Sequence, residues 1–247
     1  MNSYASLCDD FGVSTYVHSK LDMPNGRETV LHFFEALQKG TKMTEFEKRS
    51  DTEYMLEEDR EPGHYRWASL DHRRLSAGYV NPPTLEDADA HNERVLDMAA
   101  GHLDLSALQT ESMDVLYYFD FLYQGNHDEV VAEALTAGTP LDALVQVPAA
   151  RVLHYQPTMM LALDDACQLQ ARLSVETRTN AYQVRTNSFP EAPVTVYFTV
   201  RQFWGKQPFK TFAESYHNQR RVLDELVGTY VVPQIIGPLA KAISAKQ

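Results

Sequence analysis

The sequence predicts an α+β protein made of a duplicated ferredoxin-like unit, a βαββα repeat whose helices pack on one face of an antiparallel sheet. Stretches in which apolar and polar residues alternate, as in a half-buried strand, are separated by stretches in which apolar residues recur at helical spacing. Their order is β-α-β-β-α and then β-α-β-β(-β)-α, and short fragments recur at matching places in the two series. The repeating order and the recurring fragments together predict the duplication.

The composition of the 247-residue chain is that of a folded protein, with 44% hydrophobic and 23% charged residues. A formal net charge of −12 argues against a nucleic-acid partner, because phosphate binding requires a basic surface. Cys8 and Cys167 have no CxxC spacing and predict two free thiols in a reducing compartment. Residues 1–10 lack the basic and apolar regions of a secretion signal, so we expect a cytoplasmic protein.

The first half, residues 1–110, is expected to contain three strands and two helices. Asn25-Gly26 turns the chain into the first helix, and Pro62-Gly63 makes a tight turn before the third strand. Thr84, followed three residues later by Asp87, predicts the N-cap of the second helix. In order, we predict a strand at 11–21, a helix at 30–40 with a polar continuation to about 49, strands at 54–59 and 64–80, and a helix at 85–105.

The second half, residues 111–247, repeats this order with an additional strand. Asn126 opens a helix that breaks at Gly138-Thr139-Pro140, and Pro233 ends or kinks the last helix. In order, we predict a strand at 113–123, a helix from 126, a short helix at 141–147, a strand at 151–163 interrupted at Pro157, strands at 167–177 and 194–204, and a helix from about 211 to 243.

Two pairs of fragments connect the halves. Glu35-Ala36-Leu37 matches Glu133-Ala134-Leu135. His91-Asn92-Glu93-Arg94-Val95-Leu96-Asp97 resembles His217-Asn218-Gln219-Arg220-Arg221-Val222-Leu223-Asp224, which is one residue longer. No linker composition separates the halves, so we expect them to share one pseudo-symmetric body.

A ferredoxin-like sheet has helices on one face only, so the strand residues of its other face, the open face, are candidates for function. Alternate strand positions bring arginines, tyrosines and acidic residues to this face. Guanidinium groups bind carboxylate or phosphate in a bidentate fork, and phenols add flat contact area with a polar tip. The candidate residues for binding a ligand or partner are Tyr16, His18, Tyr118, Asp120, Arg172, Glu176, Arg178, Tyr197 and Arg201.

The residue pattern leaves three interpretations of the open face. It is solvated, with Arg172–Glu176 and Asp120–His18 as weak surface pairs; it is buried against another protein; or it lines a cleft for a small ligand. The apolar stripe of the last helix, from Val222 to Ile236, leaves a similar choice between core packing and contact with a second protomer.

No motif assigns a reaction. The sequence contains no HExxH, CxxC, GxSxG, GxGxxG or GxxxxGK[ST] pattern. The duplicated pattern is similar in outline to the dimeric α+β barrel haem proteins of the chlorite dismutase type and to tandem ferredoxin-like RNA endonucleases. The proximal-histidine context of the first and the glycine-rich loop of the second are absent from the sequence, so we expect no cofactor, no metal and no nucleic acid.

Three functional hypotheses follow. We first expect a non-catalytic interaction or assembly module, which binds a protein partner or forms a homo-oligomer. The second hypothesis is a protein that binds a small anionic ligand in a cleft between the two halves. The third is an enzyme in which His18, Asp120 and a neighbouring tyrosine perform acid–base chemistry. We expect no membrane association, because the apolar segment at 230–243 is too short to span a bilayer.

Overall fold

One antiparallel sheet of nine strands organises the computed structural model of the protein, which describes residues 3–205 and 211–246. In chain order the strands are β1 (Asp10–Ser19), β2 (Glu45–Lys48), β3 (Tyr54–Glu57), β4 (Tyr65–Asp71), β5 (Arg74–Val80), β6 (Thr110–Tyr123), β7 (Thr158–Ala162), β8 (Leu169–Glu176) and β9 (Ala192–Phe203). Their order across the sheet is β2-β3-β4-β5-β1-β6-β9-β8-β7. β1 and β6 are therefore paired near the middle, and each half of the chain extends outward from this pair.

The helices of the described residues make the protein a mixed α/β structure. They are α1 (Arg27–Gly40), α2 (Leu85–His102), α3 (His127–Thr136), α4 (Asp142–Val145), α5 (Ala181–Thr186), α6 (Phe212–Leu226) and α7 (Gly237–Ser244), with a π-helical segment, Val227–Ile236, between α6 and α7. Thr84, Asn126 and Thr211 each accept a hydrogen bond from the backbone N–H three residues later. These bonds satisfy donors that a helix start leaves free, which confirms the N-cap predicted at Thr84.

The two faces of the sheet differ because side chains alternate along each strand. Val13 of β1 pairs with Tyr79 of β5 and with Tyr117 of β6, so these side chains share a face. On this face Tyr117 donates a hydrogen bond of 2.7 Å to Asp224 of α6, and the ring of Tyr79 lies 6.4 Å from that of His91 of α2. Helices α2 and α6 therefore cover this face, and the buried core lies between them and the sheet.

A buried polar network joins α2 to α6. Tyr216 of α6 donates a hydrogen bond of 2.7 Å to Asp89 of α2 and accepts one of 3.2 Å from Asn92. Arg220 also donates to Asp89, at 2.9 Å, and pairs with Asp224. Because an unpaired buried polar group is destabilising, this network fixes how the two helices lie against each other.

The structure corrects the extent of three predicted elements. Residues 64–80 do not form one long strand but the hairpin of β4 and β5, which turns at His72-Arg73. The first helix ends at Gly40, and part of its predicted polar continuation is the edge strand β2. Of the strand predicted at 151–163, only Thr158–Ala162 forms. In the first two cases polar residues fit a turn or an edge strand as well as a strand or an exposed helix face, and in the third only the segment after Pro157 is a strand.

The helical run Phe212–Ser244 is continuous through its π-helical segment. Pro233 lies inside that segment. A proline disrupts the hydrogen-bond pattern of an α-helix, and the π-helical segment has a different pattern. Leu223, Val227 and Ile236 are fully buried, so the apolar stripe packs against the core. By length and composition this run could also cross a membrane, a criterion that many core helices meet as well.

Candidate functional site

The open face, turned away from α2 and α6, carries the predicted arginines and tyrosines in rows. Tyr16 pairs with Asp114 of β6, which pairs with Arg201 of β9. Tyr118 pairs with Tyr197 in the same manner. Directly paired residues of antiparallel strands point to the same side of a sheet, so these side chains are neighbours across the open face.

The largest cavity described on the open face, the central cavity, has a volume of about 440 Å³. Its lining comes from β1 and β5 of the first half and from β6 to β9 of the second, so it spans the seam between them. This volume lies within the range of about 300–1,000 Å³ that small-molecule sites occupy. Of the candidate residues, Tyr16, His18, Arg172, Glu176, Tyr197 and Arg201 line it, together with Arg74, Asp114, Leu116, Met160, Gln170, Ala171, Ser174 and Thr199.

Asp114 is the buried acid of the central cavity. Its carboxylate accepts two hydrogen bonds of 2.6 Å from Arg201 and lies 3.2 Å from Nε2 of His18. Burial by itself raises the pKa of this carboxyl group, but the hydrogen bonds from Arg201 and His18 outweigh burial and hold the pKa below its usual value. Arg201 and Asp114 therefore form an ion pair in which the two charges cancel.

Two other arginines of the central cavity have no acidic partner. The guanidinium of Arg74 lies 5.5 Å from the centre of the Tyr16 ring, a cation–π contact. Within residues 3–205 and 211–246, neither Arg74 nor Arg172 forms a salt bridge. Glu176 lies four residues beyond Arg172 on β8, about 13 Å along the strand, which is too far for an ion pair. The predicted Arg172–Glu176 pair is therefore wrong.

The tyrosines of the open face remain neutral at physiological pH. Burial raises the pKa of Tyr197 to about 12, with smaller contributions from Glu176 and Asp120. Burial also raises the pKa of Tyr16 and of Tyr118. A protonated phenol keeps its O–H donor, so these side chains can donate hydrogen bonds to an anion.

A second cavity, of about 380 Å³, adjoins the central cavity and shares Tyr16, Arg74 and Tyr197 with it. We name it the aromatic cavity because five aromatic side chains line it, those of Tyr16, Tyr65, Trp67, Tyr118 and Tyr197. The candidate residues Tyr118 and Asp120 line this cavity, as do Ser14, Arg49, Glu53, Met55, Arg60, Tyr65, Trp67, Ser69, Ser76 and Val80.

Asp120 differs from Asp114 although both lie on the same face of β6. Burial raises the pKa of the Asp120 carboxyl group, and the hydrogen bond that it accepts from Thr195 only partly opposes this shift. The two aspartates are six residues apart, which is about 20 Å along a strand. The predicted pairing of His18 with Asp120 is therefore wrong, and Asp114 is the acid that His18 contacts.

Arg178 is not part of either cavity. It follows the end of β8, and its guanidinium donates to the backbone carbonyl of Pro193 and, at 3.1 Å, to Thr195. These contacts tie the end of β8 to β9. Arg178 was predicted as a binding residue, but its hydrogen bonds serve the attachment of neighbouring strands.

Sequence reasoning misses Arg74 and Trp67, which line the two cavities. Both residues belong to the segment 64–80, which was predicted as a single strand. Unless the turn is recognised, the residues of β5 that lie next to β1 cannot be identified. The polar tetrapeptide Asp71-His72-Arg73-Arg74 was the available signal, because a polar interruption of an alternating segment is typical of a hairpin turn.

No group of three or more His, Cys, Asp and Glu side chains that could hold a metal ion occurs among residues 3–205 and 211–246. No protein-family model matches the sequence, and no curated protein matches it significantly. Function therefore has to be inferred from the geometry of the two cavities.

Proposed function

We propose that the protein binds a small anionic ligand, a carboxylate or a phosphate, in the central cavity. The observation that carries the proposal is the pair Arg74 and Arg172, two cavity-lining guanidinium groups without an acidic partner among the described residues. Hydrogen bonds to charged groups contribute about 1.5–3 kcal/mol each, and guanidinium matches the geometry of both anions. The neutral phenols of Tyr16 and Tyr197 add further donors.

The charge of the whole chain makes this cavity unusual. With a net charge of −12, the protein surface in general repels anions. In the central cavity Arg201 and Asp114 cancel, so Arg74 and Arg172 are opposed by Glu176 alone. Local positive charge in an acidic protein does not serve solubility, and it supports recognition of an anion.

A thermal-shift screen of carboxylates and phosphates, followed by isothermal titration calorimetry, tests this proposal. Arg172→Gln and Arg74→Gln should each weaken binding about tenfold or more, because each removes a charge-assisted hydrogen bond. Arg221→Gln is the matched control, since it removes an exposed arginine of α6, on the opposite side of the sheet, and should bind as the wild type does. A screen without a bound compound contradicts the proposal, as does a compound whose affinity both cavity variants preserve.

We also propose that the cavity lies between two duplicated ferredoxin-like halves. The proposal is supported by the outward extension of each half from the central pair, and by α2 and α6, which follow β5 and β9 respectively. Glu93 and His217, which belong to the recurring fragments, form a contact of 3.3 Å between these helices. Among the described residues, five strands belong to the first half and four to the second. Because β3-β4-β5-β1 mirrors β7-β8-β9-β6 across the sheet, the edge strand β2 would be the addition to the repeat.

A second candidate function, self-association, is supported by the edge strand β7. The opposite edge strand, β2, carries Glu45, Glu47 and Lys48, and such charges discourage edge-to-edge pairing. β7 has the uncharged sequence Thr-Met-Met-Leu-Ala and is exposed along its whole length. A second copy of the chain fits this edge, because antiparallel pairing of identical strands is self-complementary.

Light scattering tests self-association. The wild type should form a dimer that Leu161→Lys converts to a monomer, because the charge disfavours a second strand at this edge. Leu108→Lys changes a leucine that is 85% exposed elsewhere and should leave the dimer intact. A monomeric wild type at its highest soluble concentration contradicts the assembly hypothesis.

The enzyme hypothesis would now use His18 with Asp114. Asp114 is held as the ionised partner of Arg201, so it would orient the imidazole and would not itself accept a proton. We therefore propose binding in preference to catalysis.

A further inference from the structure

Two aromatic side chains of the aromatic cavity cover glycines of neighbouring strands. A Cβ atom added at Gly12 would lie 2.0 Å from Cε1 of Tyr118, and one added at Gly78 would lie 2.8 Å from the ring of Trp67. Any larger residue at these positions would displace the rings, so glycine permits the close approach of ring to backbone. The rings of Tyr118 and Trp67 thus lie over the strands and form the floor of the aromatic cavity.

Other apolar groups complete this cavity. The ring of Tyr197 lies 6.2 Å from that of Tyr118, tilted by 48°. Tyr65, Met55 and Val80 supply further aromatic and aliphatic surface. A flat ring system gains dispersion and quadrupole interactions from such surroundings, which a small polar ion cannot use.

Arg60 and Arg49, which line the aromatic cavity but not the central cavity, are already paired. Arg60 contacts Glu57 at 2.6 Å, and Arg49 contacts Glu47 at 3.2 Å. Glu53 and Asp120 add negative charge to the lining of the same cavity. An anionic group is therefore disfavoured in the aromatic cavity and favoured in the central cavity.

Building on the proposed function, we infer that the ligand is an aromatic anion, a flat ring system joined to a carboxylate or phosphate. The ring occupies the aromatic cavity over Tyr118 and Trp67, while the anionic group meets Arg74 and Arg172 in the central cavity. Arg74 lines both cavities and lies at the junction of the two parts. A simple anion would leave the aromatic floor uncovered, and an uncharged ring would leave the arginines unpaired.

Calorimetry with four probes tests this inference: inorganic phosphate, 2-naphthyl phosphate, acetate and 2-naphthoate. Each naphthyl compound should bind at least tenfold more tightly than the simple anion that it extends. Tyr118→Ala and Trp67→Leu should each abolish most of this gain without changing the affinity for the simple anions. Arg172→Gln should weaken all four, and Tyr182→Ala, which removes a tyrosine that is 64% exposed on α5, should weaken none.

Fluorescence separates binding in the aromatic cavity from binding elsewhere. Tryptophan emission, corrected for the emission of the naphthyl compounds themselves, should change on binding in the wild type and much less in Trp67→Phe, whose remaining tryptophan, Trp204, lines neither cavity. If the simple anions bind and depend on Arg172 but the naphthyl group adds less than twofold, the inference is wrong and the proposed function stands. The inference is also wrong if the naphthyl compounds keep their higher affinity over the simple anions in both Tyr118→Ala and Trp67→Leu. If none of the four probes binds, the proposed function itself fails.

Discussion

Arg201 and Asp114 form a bidentate ion pair on the open face, with both N–O distances at 2.6 Å. The side chain of Asp114 is only 4% exposed, so removal of the arginine leaves a carboxylate that water solvates poorly. We expect Arg201→Gln to lower the free energy of unfolding by about 1.5–3 kcal/mol, because it removes charge-assisted hydrogen bonds from a buried carboxylate that His18 still contacts. Urea denaturation measures this change.

The double variant Asp114→Asn/Arg201→Gln is the control for that prediction. It replaces both charges by amides, so no buried carboxylate is left uncompensated. It should therefore be more stable than Arg201→Gln alone. If Arg201→Gln unfolds at the same urea concentration as the wild type, the pair does not stabilise the fold.

The stability that Asp114 contributes should depend on pH. Hydrogen bonds from Arg201 and His18 outweigh burial and lower the pKa of Asp114 in the folded protein, so its contribution is present above the ordinary value of 3.8 and is lost as the pH falls through the folded pKa. The difference in unfolding free energy between the wild type and Asp114→Asn should shrink as the pH falls below about 4. Urea titrations at a series of pH values measure it, and a difference that grows on acidification would contradict the assignment.

Asp120 should show the opposite dependence. Burial raises the pKa of Asp120, so the stability linked to its protonation is present at low pH and is lost as the pH rises from 3.8 through the folded pKa. Asp120→Asn should therefore be at least as stable as the wild type at neutral pH, whereas Asp114→Asn should be less stable. Equal losses in the two variants, compared by urea denaturation at neutral pH, would show that the two aspartates do not differ in this way.

The contact between Tyr118 and Gly12 should appear as non-additive stability. In Gly12→Ala the new methyl group displaces the Tyr118 ring, and overpacking of this kind costs about 1–3 kcal/mol. In the background of Tyr118→Ala the same change has no ring to displace and should cost much less. Thermal or urea unfolding of the two single variants and the double variant measures the coupling. Additive effects would mean that the ring does not rest on Gly12.

Alternation along the strands was sufficient to place Tyr16, Tyr118, Tyr197 and Arg201 on one face, because a period of two residues requires only that a segment be extended. It could not give the pairing of His18, whose acidic partner is 96 residues away and depends on the register between β1 and β6. That register is a property of the assembled sheet.

The cavities were not predictable for a related reason. Their shape depends on which rings pack flat against the sheet. This packing requires a glycine on the neighbouring strand, as Gly12 is for Tyr118 and Gly78 is for Trp67. Alternation places Arg178 on the open face, where its guanidinium bonds Thr195, the residue paired with Asp120. It could not show that Arg178 lies outside both cavities.

Tyr216 should be one of the residues that hold α2 against α6. Its hydroxyl donates to Asp89 at 2.7 Å and accepts from Asn92 at 3.2 Å, and the side chain is fully buried. Tyr216→Phe removes both bonds and leaves the Asn92 donor without this partner, so we expect a loss of about 1–3 kcal/mol in unfolding free energy. Tyr182→Phe, at an exposed position of α5, should change stability little and serves as the control in the same urea titration. Equal stability of the two variants would mean that the Tyr216 hydroxyl does not help to hold these helices together.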